Sequence, residues 1–181
     1  MLKLQVILGS TRPVRAGEEV AKWVTDIAKE RTDLEVELVD VADYNLPLLD
    51  EPQSALTGIY SKDHTKKWSS KIAEADAFIF VTAEYNHGIP GAFKNAVDFL
   101  YAEWADKPFG LVGYGAAEGG SRAIEQWRQV LAQVGGATVK SFMTIPHIYM
   151  GFAKSDDQVK AANAVIDDVI KWGTALKTVR A

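Results

Sequence analysis

The stretch that most narrows the possible folds is the run at residues 77–81, AFIFV, together with the polar residues directly after it. A strand with one wet face alternates apolar and polar residues, and this run does not. A short unbroken run rich in Phe, Ile and Val fits a strand covered on both faces, as in the middle of a parallel sheet. The character changes at Glu84, Tyr85, Asn86 and His87, which are polar or amphipathic. Gly88 frees the backbone for a turn, and Pro90 suits a helix start, where its missing N–H costs nothing. From Gly91 on, Phe93, Ala96, Val97 and Leu100 fall on one helical face. The segment reads strand, polar loop, helix. In an open parallel sheet, a loop at the carboxyl end of a strand is where ligands sit.

The rest of the chain repeats that unit. Residues 2–8 form a strand, and a helix after Gly17 turns Val20, Trp23, Val24, Ile27 and Ala28 inward. Residues 34–39 alternate apolar and acidic side chains, which suits a strand near the sheet edge. A loop with Pro47 and Pro52 leads to a helix at 61–74, with Trp68 and Ile72 in the core and His64 at the surface. Residues 109–114 read as strand and 115–121 as a Gly-rich loop. Next come a helix with Ile124, Trp127, Val130, Leu131 and Val134 at helical spacing, a strand at 138–145 and a helix at 156–179. Strands and helices alternating in this way predict one flavodoxin-like α/β domain over residues 1–181. It is a three-layer sandwich around a five-stranded parallel sheet of order 2-1-3-4-5.

Composition removes several function classes. A formal net charge of -4 argues against general nucleic-acid binding, which needs a basic surface. The chain has no cysteine, which excludes thiol catalysis, disulfides and cysteine-ligated metal centres. His64, His87 and His147 lack metal-ligand spacing. No run approaches membrane length and no signal-peptide pattern appears, so a soluble cytoplasmic protein is expected. No G-x-S-x-G elbow occurs.

The loop after the first strand has the parts of a phosphate site. Ser10 and Thr11 bring hydroxyls, Arg12 and Arg15 bring guanidinium forks, and Gly17 lies at the helix start, where free N–H groups favour an anion. Composition alone favours a solvated turn with two arginines. Its place after the first strand favours phosphate. It is neither a Walker A loop nor the G-x-G-x-x-G dinucleotide fingerprint.

Both loops carry a resemblance. E-Y-N-x-x-x-P-G-x-x-K-N-A-x-D-x-L, here Glu84 to Leu100 with Pro90, Gly91, Lys94, Asn95, Ala96 and Asp98 in register, resembles the flavin-contacting loop and helix of the NAD(P)H-dependent FMN reductases. That family includes azo-dye, quinone and chromate reductases. The loop from Gly9 to Gly17 resembles the same family's G-S-x-R-x-x-R-x-G loop, which holds the FMN phosphate. Ala83 departs from the family's usual Pro, and His87-Gly88 from its small residues.

The resemblance implies FMN as cofactor. Ser10, Arg12, Arg15, Gly17 and Glu18 would lie at the phosphate end, and Glu84, Tyr85, Asn86, His87 and Gly88 at the ring. Gly115 and Ala116 would form a third wall; the alternative there is a plain helix entry capped by Ser121. Backbone N–H groups of 85–88 are the candidates for the pyrimidine edge, and Glu84 either braces its loop or touches the cofactor. NADPH or NADH would deliver a hydride to the flavin, and a small acceptor would take two electrons from it. The resemblance also implies a homodimer or tetramer, with Phe99 and Trp104 expected across the contact. The alternative is a flavodoxin-type one-electron carrier. Such carriers tend to be more acidic than this chain and lack the arginine pair.

Overall fold

The computed structural model describes residues 1–180. Its strands are β1 (Leu2–Leu8), β2 (Leu34–Asp40), β3 (Ala77–Ala83), β4 (Pro108–Tyr114) and β5 (Ala137–Ile145), all parallel, in the order β2-β1-β3-β4-β5. The helices are α1 (Gly17–Lys29), α2 (Asp63–Ala73), α3 (Gly91–Asp98), α4 (Ser121–Gln133) and α5 (Asp156–Lys177). This is the flavodoxin-like order, with its switch point between β1 and β3.

Every residue of β3 is buried, as its unbroken apolar run requires. Ile79 and Val81 pack with α1 and α5 through Val20, Val24, Val165 and Val169. Phe78 and Phe80 pack on the other face with α2, α3 and α4, through Trp68, Phe93, Ala96, Ile124 and Trp127. Strand β2 lies at the edge, and Glu35 and Glu37 on it are exposed. Gly9 ends β1 because the ring of Phe93 rests on it: a Cβ there would fall 1.7 Å from that ring. The contact seats the start of α3 beside the first loop.

Phe99 and Trp104 are not at an interface. Both are fully buried in the chain's own core. Phe99 meets the His64 ring edge-on at 5.6 Å. His64 is half-buried, with Nε2 2.9 Å from Asp50. The segment after α3 folds back as a short 3-10 turn over Ala102–Trp104. The Trp104 indole N–H donates to the Val97 carbonyl at 3.1 Å, and its ring packs against Trp68, Phe78, Phe80 and Phe109. Glu103 stays polar by accepting from the Tyr60 and Ser69 hydroxyls at 3.0 and 2.5 Å. Asp106 in the same connector faces outward while the indole turns in.

At the opposite end of the sheet, Asp76 receives Lys177 and Arg180 from the end of α5 at 2.9 and 3.2 Å. Lys107 is buried beside them; its ammonium donates to the Ile72 carbonyl at 3.1 Å and lies over the Phe78 ring.

Candidate functional site

Strands β1, β3 and β4 are neighbours, so the loops at their carboxyl ends lie side by side. They enclose an open cleft of about 410 Å³, lined by Arg12, Arg15, Glu84, Tyr85, Tyr114, Gly115 and Ala116, with Ile148 and Tyr149 from the loop after β5.

In the first loop, Ser10 is fully buried and its hydroxyl lies 2.7 Å from that of Tyr85. Arg15 donates to the Ser10 carbonyl at 2.7 Å and pairs with Asp40 at the end of β2. That arginine therefore orders the loop from within. Arg12 is exposed, and its guanidinium has no hydrogen-bond partner among the described residues. Helix α1 starts at Gly17 without a side-chain cap, which leaves first-turn N–H groups open. Glu18, expected at the phosphate, is instead exposed and bonded to Lys22 at 2.8 Å. Helical i,i+4 geometry gives its side chain this partner, and its amide lies in the open first turn of α1.

In the second loop, Tyr85 and Gly88 exchange backbone hydrogen bonds at 2.9 and 3.0 Å. Asn86 and His87 between them have φ of 51° and 66°, a two-residue turn of the left-handed hairpin type. The turn occupies the Tyr85 and Gly88 amides, so two of the four expected ring-edge donors are spent. The Asn86 and His87 amides remain available. Gln126 of α4 clamps the loop, accepting from the Ile89 amide at 3.1 Å and donating to the His87 carbonyl at 3.0 Å.

Glu84 braces the loop. Its carboxylate accepts from the Arg122 amide at 3.0 Å and from the Arg122 guanidinium at 2.8 Å, with the Glu84 side chain only 9% exposed. This pair fastens the β3 loop to the start of α4. Sequence reasoning missed Arg122 and Gln126, because nothing local shows which face of α4 turns toward another loop. It also missed Tyr149 and Ile148. They arrive because the His147 and Ile148 amides bond the Ala116 and Gly115 carbonyls at 2.9 and 3.1 Å.

The cap of α4 is Gly120, not Ser121, and no side-chain cap bond forms. Gly120 has φ 91°, and a Cβ there would lie 2.5 Å from the Tyr114 nitrogen. Only glycine fits at that approach.

Tyr114, at the end of β4, is 5% exposed. Burial pushes its hydroxyl up to about 12. The nearby Tyr85 adds to that shift and Ser10 eases it, although no hydrogen bond joins Ser10 to the Tyr114 oxygen. The Tyr114 oxygen has no hydrogen-bond partner among the described residues.

These parts fit FMN. Arg12, the open end of α1 and the unpartnered Tyr114 hydroxyl suit a phosphate. The free amides at 86–87 suit a polar ring edge.

A doubly wound sheet of this order, with its loops meeting at the switch point, defines a flavodoxin-like α/β protein. Comparison with known proteins narrows the class: the family model for NADPH-dependent FMN reductase matches residues 2–149, and the chain belongs to that family. It is 41% identical over 169 residues to the NAD(P)H-dependent FMN reductase ntnL of a Nectria species, covering 90% of this chain and 82% of that one. It is 31% identical over 156 residues to a quinone reductase of Pseudomonas putida, covering 83% and 78%. The solved flavoenzyme NAD(P)H:(acceptor) oxidoreductase FerB of Paracoccus denitrificans superposes with a TM-score of 0.65 over 98% of both chains, at 22% identity, a likeness of fold. No helix among the described residues is long and apolar enough to cross a membrane.

Proposed function

We propose that this chain, as a single FMN-binding domain, is an FMN-dependent oxidoreductase. It uses NADPH or NADH to reduce small acceptors such as quinones, azo compounds or flavins. The observation that carries this reading is the placing, at one end of the sheet, of a loop with an unpaired arginine in the cleft and, in an adjoining pocket that shares Glu84 and Ala116 with it, a polar turn with free amides at Asn86 and His87. FMN, when bound, supplies the two-electron chemistry linking donor to acceptor. The protein's own residues bind and orient. Arg12 and the first turn of α1 hold the phosphate, while Arg15 stays on Asp40 and keeps the loop in shape. The Asn86 and His87 amides hold the ring edge, positioned by the turn and by Gln126. Gly115 and Ala116 form one wall of the cleft and Tyr149 covers another. The family membership and the Nectria and Pseudomonas relatives support this reading over that of a one-electron carrier.

Flavin titration of the apoprotein tests the cofactor, with FMN expected to bind far more tightly than riboflavin. Equal affinity for both would remove the phosphate site. Steady-state assays with each nicotinamide and a panel of acceptors then test the reaction. Parallel double-reciprocal lines are expected, since donor and acceptor use one cleft in turn. A bound flavin that neither nicotinamide reduces would return the carrier reading.

The protein is placed in the cytoplasm, where both nicotinamides are present, and is read as a homodimer or a pair of dimers. Support for the dimer lies in Leu48, Leu49, Leu56 and Ile59 between β2 and α2, which are 86%, 50%, 67% and 60% exposed. An apolar cluster of this kind is characteristic of an interaction surface. Sedimentation of the native chain and of Leu48→Glu tests it. A native monomer at micromolar concentration would end the dimer reading.

A further inference from the structure

We propose that the Tyr114 hydroxyl donates a hydrogen bond to the phosphoryl group of bound FMN, and so helps select phosphorylated over unphosphorylated flavin. The proposal rests on the FMN reading above. Tyr114 closes β4, the strand that packs beside β3, and its ring lies under the first turn of α1. A Cβ on Gly17 would fall 2.2 Å from the Tyr114 oxygen, so glycine at that position is what lets the hydroxyl reach the helix start. The oxygen is buried and unpartnered, in a residue 5% exposed. The nearest hydroxyl, that of Ser10, is joined to Tyr85 at 2.7 Å and makes no hydrogen bond to Tyr114, although it keeps an acceptor lone pair; Arg15, which can only donate, is held by Asp40 and the Ser10 carbonyl.

Native proteins rarely leave a buried hydroxyl unpaired, because its desolvation is then uncompensated. Phenylalanine would fill the same space at no such cost. The hydroxyl therefore asks for an acceptor that the protein does not supply. An anion at the start of α1 is such an acceptor, drawn there by the open N–H groups and by Arg12. With its ionisation pushed up to about 12, the phenol keeps its proton at neutral pH and acts as donor, not as a competing negative charge.

Tyr114→Phe tests the assignment, because it removes one oxygen and keeps the ring. Affinities of the apoprotein for FMN and for riboflavin are measured by quenching of flavin fluorescence. FMN should bind roughly ten-fold more weakly to the variant, with riboflavin changed by less than about two-fold. The melting temperature of the variant apoprotein should be no lower than that of the native one, since the lost hydroxyl had no partner. Inorganic phosphate should raise the melting temperature of the native apoprotein more than that of the variant. Equal losses for both flavins would place the contact on the ribityl chain or make Tyr114 merely structural, and would overturn the proposal. So would unchanged FMN affinity. If the native chain fails to prefer FMN, the preceding reading fails and this one with it. If it prefers FMN and the variant does so equally, only this one fails.

Discussion

Single residues divide the cleft into groups that are spent and groups that are free. The sequence shows two arginines in one loop, but not that Arg15 answers Asp40 from the end of a neighbouring strand. Arg12 is left to meet a ligand. Charge-assisted hydrogen bonds contribute roughly 1.5–3 kcal/mol each, so Arg12→Ala should weaken FMN about ten-fold or more while leaving riboflavin nearly unchanged. Titration with both flavins checks this. Tyr114 is illegible in the sequence for a different reason: a tyrosine ending an apolar strand looks like core, and only the fold shows its oxygen unpaired. Lys107 is equally hidden. Burial, then the charge of Arg180, lowers its ammonium to about 8, against the pull of Asp76 and Glu103. The folded state gives up this proton at a lower pH than the unfolded state does. Stability should therefore rise as pH climbs from about 8 toward about 10.5, by on the order of 2 kcal/mol between about pH 7 and about pH 9.5. Above about pH 10 the buried phenols Tyr60 and Tyr114, whose ionisation burial raises, reverse the slope. Urea unfolding across that window should show the rise in the native chain and a flatter profile in Lys107→Met. An equal rise in both would assign it to other groups.

Elements carry the site's rigidity. The turn at 85–88 is held from α4, by Gln126 on its backbone and by Arg122 on Glu84. Hydrogen bonds thus join the loop after β3 to the start of α4, the helix that the loop after β4 leads into. A double-mutant cycle on Glu84→Gln and Arg122→Ala should return a coupling of about 1–2 kcal/mol, the partly exposed Arg122 keeping it below the range of fully buried pairs. Each single variant should also weaken FMN, because a freed loop must be ordered again on binding. Additive losses of stability would mean that the two loops are fastened elsewhere. At this scale the sequence is informative about where loops fall and poor about what clamps them. Strand β3 is evident from its apolar run and β2 from its alternating acids. The Glu84–Arg122 clasp spans elements with no shared periodicity. The Glu18 side chain shows the same limit: its loop gives no sign that one helical turn delivers Lys22 to it.

For the molecule as a whole, the arrangement of five strands and five helices is legible because each apolar period matches its element. Harder to read was which aromatic residues face inward. Trp104 sits among charges in the chain and among aromatic rings in the fold. Trp104→Ala should accordingly cost roughly 3–5 kcal/mol, as for other buried aromatic truncations. The loss should not depend on protein concentration, as it would if the residue sat between subunits; denaturant titrations at several concentrations decide. The same packing has an optical consequence. Trp68, Trp104 and Trp127 are shut away from water among Phe78, Phe80, Phe93 and Phe109 on one side of the sheet, while Trp172 on α5 is 47% exposed. Indoles in dry surroundings emit at shorter wavelength than wetted ones. The native emission should hold a blue component from the interior and a redder, more easily quenched one from Trp172. Loss of the blue component reports that the aromatic interior has opened. A change confined to the red one reports on Trp172 of α5 and the half-buried Trp23 of α1, not on that interior.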